Sequence, residues 1–145
     1  MEKTVVLIAE DDEEDRVFAE NALNETRRSS IDIRFVLDGE ELLEYLKKEG
    51  KYKNAPRPSV IFLDLNMPKK RGIEALIEIK SDEDLRKIPI IVLTSSGAQE
   101  DVEESYNKGA NSYITKPDYY GELKEIMKKT ERFWFEAAKI PRGEK

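Results

Sequence analysis

The chain has 145 residues, with 25 Lys and Arg against 31 Asp and Glu, and a formal net charge of −6. That length supports one ordinary domain with its own core, and an acidic chain is a poor candidate for coating nucleic acid or anionic lipid, whose phosphates would repel it. Cys and His are both absent, which removes disulfides, zinc and iron–sulfur sites, thiol nucleophiles and Ser-His-Asp triads; a bound metal would be held by oxygen, as Mg²⁺ or Ca²⁺ is. No apolar run approaches the ~20 residues of a membrane span. The opening Met1-Glu2-Lys3-Thr4 lacks the apolar stretch of a signal peptide, so a cytoplasmic protein with no membrane contact is expected.

Thr4 to Ala9 (TVVLIA) is a continuous apolar run, the pattern of a strand buried on both faces. A row of carboxylates comes next, Glu10 to Asp15, and then Val17, Phe18, Ala22 and Leu23 at helical spacing predict a helix over about 15–26. Ile31, Ile33 and Phe35 alternate with Asp32 and Arg34, as in a half-exposed edge strand over 31–36. Asp38-Gly39 turns the chain into a helix over 40–48 with Leu42, Leu43 and Leu46 inward. After a polar, Pro-bearing loop over 50–58, Val60 to Leu63 (VIFL) is a second fully apolar strand, ending at Asp64. The loop 66–72 leads to a helix over 73–81, and Pro89 to Leu93 (PIIVL) is a third apolar strand, ending at Thr94. A polar helix over 99–108 stops at Gly109, residues 112–115 (SYIT) form a short strand ending at Lys116-Pro117, and a long helix over 119–138 closes the domain. The expected division is a domain over 1–138 and a short tail over 139–145.

Five βα units in series imply a parallel sheet with helices on both faces. With an edge-like second strand, the expected fold is an α/β, flavodoxin-like (βα)5 three-layer sandwich of order 2-1-3-4-5, whose ligands bind at the carboxyl ends of the strands. Asp11 and Asp12 follow the first strand, Asp64 the third, Thr94 the fourth and Lys116 the fifth, so all five meet at one rim. Three like charges there would repel or raise each other's pKa, and Mg²⁺, which takes one or two carboxylates and keeps several waters, resolves the conflict. Lys116 is a point charge able to pair with Asp64 or with an anion placed on it, and Thr94 supplies a hydroxyl. An acceptor carboxylate, a metal, a lysine and a hydroxyl are the parts of phosphoryl transfer onto an aspartate.

Each residue alone has a plainer reading. Acids at a helix N-terminus suit the macrodipole, which is the preferred reading for Glu13 to Asp15. Asp64 alone is a turn residue, Thr94 a strand terminus, Lys116 a solvated charge, Tyr113 ordinary packing, and Lys69-Lys70-Arg71 a solvated loop. The joint placement at one rim favours chemistry.

The acidic pair Asp11-Asp12, the segment Phe62-Leu63-Asp64-Leu65-Asn66-Met67-Pro68 with Gly72, Thr94 beside Ser95, Tyr113 and Lys116-Pro117 resemble the receiver domain of two-component response regulators over essentially the whole chain; positions 64, 94 and 116 are spaced by 30 and 22 residues. The resemblance implies that Asp64 accepts a phosphoryl group from the phosphohistidine of a sensor kinase or phosphotransfer protein. It further implies that Asp12 directly, Asp11 through water, Asp64, and the Asn66 backbone carbonyl hold Mg²⁺. Thr94 and Lys116 would bind phosphoryl oxygens, Tyr113 would turn inward with Thr94, and Lys116–Pro117 resembles the family's cis peptide. Output would be by protein–protein contact, with self-dephosphorylation but no turnover of an external metabolite. Arg71 departs from the pattern, standing where an acidic or amide residue often precedes the glycine, as does Asp118-Tyr119-Tyr120. A narrower resemblance, to single-domain regulators paired with bacterial phytochromes, rests on Asn54-Ala55-Pro56-Arg57-Pro58, on Leu65 to Lys69 and on the aromatic end of the last helix.

Three other readings compete. A haloacid-dehalogenase-type phosphatase needs a second acid two residues after its nucleophile, where this chain has Asn66. A flavin carrier needs a Gly- and Ser-rich phosphate loop where this chain has carboxylates. A receiver that never takes phosphate and acts as a scaffold is disfavoured by the intact constellation. Tyr119, Ile126, Phe133 and Ile140 recur every seven residues and predict a surface stripe on the last helix, the expected homodimer interface; the alternative is that this helix curls onto its own domain and buries them.

Overall fold

The computed structural model describes residues 4–26 and 31–141; the expectations for the first three residues and for the tail over 142–145 lie outside the described residues. The order is β1 (Thr4–Ala9), α1 (Glu13–Thr26), β2 (Ile31–Val36), α2 (Gly39–Leu46), β3 (Val60–Leu63), α3 (Gly72–Lys80), β4 (Ile90–Thr94), α4 (Gln99–Asn107), β5 (Ser112–Thr115) and α5 (Tyr120–Glu131), with single 3₁₀ turns at Gly50–Tyr52 and Leu85–Lys87. The sheet order is β2-β1-β3-β4-β5, and every pairing is parallel, as five βα units require.

Side chains alternate across each strand, and the core divides accordingly. Leu7, Ala9, Ile61, Leu63, Ile90 and Val92 face α2 and α3 with Leu42, Leu43, Leu76 and Ile79. Val6, Ile8, Val60, Phe62, Ile91 and Leu93 face α1 and α5 with Ala19, Leu23, Leu123 and Met127. β3 and β4 are buried throughout, which is why β3 is apolar from end to end and β4 is apolar up to Thr94, its last residue. Helix α4 is thinly held: Ser105 is its one buried residue.

Register positions the rim. Ala9 lies opposite Leu63, and Leu63 opposite Val92, so Glu10 and Asp64 leave the sheet side by side, with the Asp64 N–H donating to the Ala9 carbonyl at 3.1 Å. The Lys116 N–H donates to the Thr94 carbonyl at 2.7 Å, carrying the β4–β5 ladder to the same edge. The loop after Asp64 folds back so tightly that a Cβ on Gly72 would stand 2.3 Å from the Asp64 carbonyl oxygen, and the Gly72 N–H donates to the Leu65 carbonyl at 3.1 Å. A glycine is therefore required there whatever precedes it.

Two expectations are corrected. The Lys116–Pro117 bond is trans, since no cis peptide occurs among the described residues; trans is the lower-energy X–Pro form by about 0.5–1 kcal/mol, and Lys116 reaches its partners from it. The last helix is not one α-helix over 119–138. It is α-helical to Glu131 and continues as a π turn over Arg132–Ala137. The wider turn shifts the angular phase of the residues after it, so the seven-residue stripe is not one exposed face. Tyr119 is 71% and Phe133 55% exposed, Ile126 is half-buried, and Ile140 packs with Trp134 and Phe135 against the α1/α5 core.

Candidate functional site

Asp64 is the centre of the rim and is only 6% exposed. Its Oδ1 accepts from the Thr94 hydroxyl at 2.9 Å and the Asn66 N–H at 3.1 Å, and its Oδ2 accepts from Lys116 Nζ at 3.2 Å. Thr94 is fully buried. Asn66 is exposed and meets Asp64 through its backbone. Lys116 Nζ also donates to Glu10 Oε1 at 2.5 Å and to Asp15 Oδ2 at 2.8 Å.

Oxygen atoms of Glu10, Asp11 and Asp64 all lie within 4.8 Å of one another. The acidic pair next to the acceptor is therefore Glu10-Asp11, one residue earlier than the expected Asp11-Asp12. Asp12 is turned away: its Oδ1 accepts the Asp15 N–H at 3.0 Å, so it caps α1, which accordingly starts at Glu13 rather than 15. Arg16 fixes the pair from behind. Its Nη1 donates to the carbonyls of Glu10 at 3.1 Å and Asp11 at 2.9 Å. Glu10, Asp15 and Arg16 are the residues that sequence reading missed at this site. The signal that could have found Glu10 was strand length: β1 ends at Ala9, so the first acid after it enters the rim; Asp15 and Arg16, inside α1, carried no such signal.

Burial pushes the Glu10 carboxyl up to about 7, against the pull of the Lys116 ammonium and with help from the Asp64 charge. For Lys116, burial alone would lower its pKa, but the hydrogen bonds it gives to Asp15 and Glu10 and the charge of Asp64 hold it above the ordinary lysine range. Lys116 and Arg16 are outnumbered here by the carboxylates of Glu10, Asp11, Asp15 and Asp64. The oxygen-only donor set of Glu10, Asp11 and Asp64, two of them buried, fits a hard divalent cation of the Mg²⁺ or Mn²⁺ class.

Tyr113 lies outside this cluster. Its ring packs against the α2/α3 core, and its hydroxyl donates to the Ser96 carbonyl at 2.8 Å. The Ser96 hydroxyl in turn donates to Asp101 Oδ2 at 2.5 Å in the first turns of α4. A pocket of about 270 Å³ opens beside Asp64 and Lys116 and runs over Phe18, Phe62 and Leu123 between α1 and α5. No helix among the described residues is long and apolar enough to cross a membrane.

The response regulator receiver domain matches residues 6–128. Response regulator Rcp1 of Synechocystis is 39% identical over 139 residues, covering 94% of this chain and 92% of that protein. The crystal structure of the phosphorylated cyanobacterial phytochrome response regulator RcpA superposes with a TM-score of 0.92 at 40% identity, over 97% of this chain and 99% of that one. The Mn²⁺-bound form of Rcp1 does so with a TM-score of 0.89 at 38% identity, over 95% and 99%. The chain belongs to the receiver-domain family of two-component response regulators.

Proposed function

We propose that this chain is a phosphorylation-operated switch in which Asp64 takes a phosphoryl group from the phosphohistidine of a sensor kinase or phosphotransfer protein. The supporting observation is the environment of Asp64: a buried carboxylate bound at one oxygen by Thr94 and at the other by Lys116, beside Glu10 and Asp11. In the transfer, a carboxylate oxygen of Asp64 forms a bond to phosphorus while the bond to the donor nitrogen breaks, and the electron pair leaves with the imidazole. Lys116 and Thr94 already donate to the Asp64 oxygens, and the same donors are within reach of the charge that gathers on the phosphoryl oxygens. A divalent cation held by Glu10, Asp11 and Asp64 would neutralise charge between the carboxylates and the incoming group. The Asn66 N–H and the Arg16 guanidinium keep Asp64 and the acidic pair in place.

The downstream event in this reading is a change at Thr94 transmitted to Tyr113, Ser96 and α4, read by another protein and not by an activity on metabolites. The likeness to RcpA, whose structure is that of a phytochrome response regulator, supports a phytochrome-type kinase as donor. The reading puts the protein in the cytoplasm, as a homodimer whose interface takes in the exposed Tyr119 and Phe133. Intact-mass measurement after acetyl phosphate and Mg²⁺ tests the core of it: one phosphoryl group is expected on the wild type and none on Asp64→Asn. Label that persists in the variant places the acceptor elsewhere.

A further inference from the structure

Resting on that reading, we infer that Asp15 is a positioning residue for the transfer, an anchor that aims the Lys116 ammonium at Asp64 and at the phosphoryl group placed on it. An ammonium has three N–H donors, and those of Lys116 are matched to Glu10 Oε1 at 2.5 Å, Asp15 Oδ2 at 2.8 Å and Asp64 Oδ2 at 3.2 Å. The contact to Asp64 is the longest, and Asp64 is the partner whose oxygens change during the reaction. The other two carboxylates make and break no bonds. With two N–H directions of a tetrahedral ammonium held, the third is set.

Glu10 and Asp15 are not equivalent anchors. Glu10 is also in the oxygen cluster with Asp11 and Asp64, so its carboxylate is shared with whatever cation sits there. Asp15 stands outside that cluster. It projects from the first turn of α1, where its N–H is fixed by Asp12 Oδ1 at 3.0 Å. Asp12, Asp15 and Lys116 thus form a chain of contacts from the start of α1 to the loop after β5. A lysine on a flexible four-carbon stem loses rotamer freedom when it is held in one place, and a second fixed acceptor offsets that loss before the reaction begins. The Asp15 side chain is 37% exposed, so water screens much of its charge, and its contribution is direction more than field. The macrodipole does not account for the arrangement: Glu13 and Glu14 stand in the same first turn, while Asp15 is the acid of that turn bound to Lys116.

An anchor of this kind acts on the chemical step and not on donor binding. The test is labelling by acetyl phosphate with Mg²⁺, followed by intact mass at several acetyl phosphate concentrations, for wild type, Asp15→Ala and Asp15→Asn. The maximal rate constant of Asp15→Ala should fall about tenfold, as expected when an aligned group is loosened, with the half-saturating concentration little changed. Asp15→Asn keeps an oxygen that accepts from Lys116 and should return to within about threefold of wild type. Asp15→Ser, too short to reach Lys116, replaces alanine if that variant does not fold. Labelling of Asp15→Ala at the wild-type rate overturns the inference, as does faster labelling of both variants, which would make Asp15 a charge that repels the donor. A wild type that takes no label, or an Asp64→Asn variant that does, fails the acceptor reading instead.

Discussion

Glu10 and Lys116, 106 residues apart in the chain, meet with Oε1 and Nζ 2.5 Å apart. Their side chains are 5% and 16% exposed, so removing Lys116 leaves the buried Glu10 and Asp64 carboxyls without their cation; breaking such a pair costs up to about 3–5 kcal/mol, less to the extent that Glu10 protonates. Lys116→Met should destabilise the metal-free protein by about 3 kcal/mol in urea unfolding, and Glu10→Gln in the same chain should recover part of that loss. Additive losses in the double variant would show that the pair is not coupled.

The acidic register gives a prediction opposite to the one sequence alone suggests. Asp11→Asn should abolish the rise in melting temperature produced by Mg²⁺, a rise worth about 2.7 kcal/mol at a hundredfold excess over the dissociation constant. Asp12→Ala should keep that rise and lower the baseline stability by about 1 kcal/mol, the ordinary loss of an N-cap. Arg16→Ala, which frees the Glu10 and Asp11 carbonyls, should weaken Mg²⁺ binding without removing it. Thermal melts with and without the metal decide among these, and an Asp12→Ala variant blind to Mg²⁺ would restore the later register.

Much of the fold and the rim was legible because burial on both faces leaves an unmistakable trace. β1, β3 and β4 are written as TVVLIA, VIFL and IIVLT, and topology alone brings their carboxyl ends, with that of the short, half-exposed β5 (SYIT), to one rim. Asp64 just after β3, Thr94 as the last residue of β4 and Lys116 just after β5 were readable for that reason. Where six carboxylates follow one another, the pattern holds no phase. Only the end of β1 at Ala9 and the cap that Asp12 makes to Asp15 decide which acids face Asp64. The end of α5 was illegible for a similar reason. Phe133, Trp134 and Phe135 are consecutive, and a π turn, not an apolar period, selects which of them is exposed.

Ser105 marks a conflict between local chemistry and burial. It is fully buried in α4, and its hydroxyl has no partner among the described residues. An unsatisfied buried hydroxyl costs about 1–3 kcal/mol, and alanine is also the better helix former. Ser105→Ala should raise stability by about 1 kcal/mol, measured by denaturant unfolding, with Asp64 labelling retained. A loss of stability would reveal a partner for the hydroxyl in solution.

The exposed aromatics test the proposed dimer. Tyr119 and Phe133 stay in solvent while Trp134, Phe135 and Ile140 pack inward, and exposed aromatics are strong anchors when an interface covers them. Sedimentation at micromolar concentrations should show the wild type as a dimer and Phe133→Asp as a monomer, whereas Ile140→Ala should lower stability before it alters assembly. A wild type that remains monomeric with and without beryllofluoride ends the proposal.

Lys80 offers a pH test away from the site. Its Nζ donates to the carbonyls of Arg86 and Ile88, each at 2.9 Å, and to Asn111 Oδ1 at 3.1 Å, tying the end of α3 to the strand entrances of β4 and β5. Burial pushes its pKa from the ordinary 10.5 down to about 8. Between those two values the unfolded chain binds more protons than the folded one, so unfolding free energy rises with pH across that window, by at most about 1.4 kcal/mol per unit. Below pH 8 both states are protonated, and the slope from this residue vanishes. Lys80→Met removes the titration along with the three hydrogen bonds, while the other lysines titrate alike in both proteins. The stability of the wild type relative to Lys80→Met should therefore rise from pH 8 to pH 10 in urea unfolding. A relative stability that falls would mean that the three oxygen acceptors outweigh burial and keep the ammonium charged in the folded state.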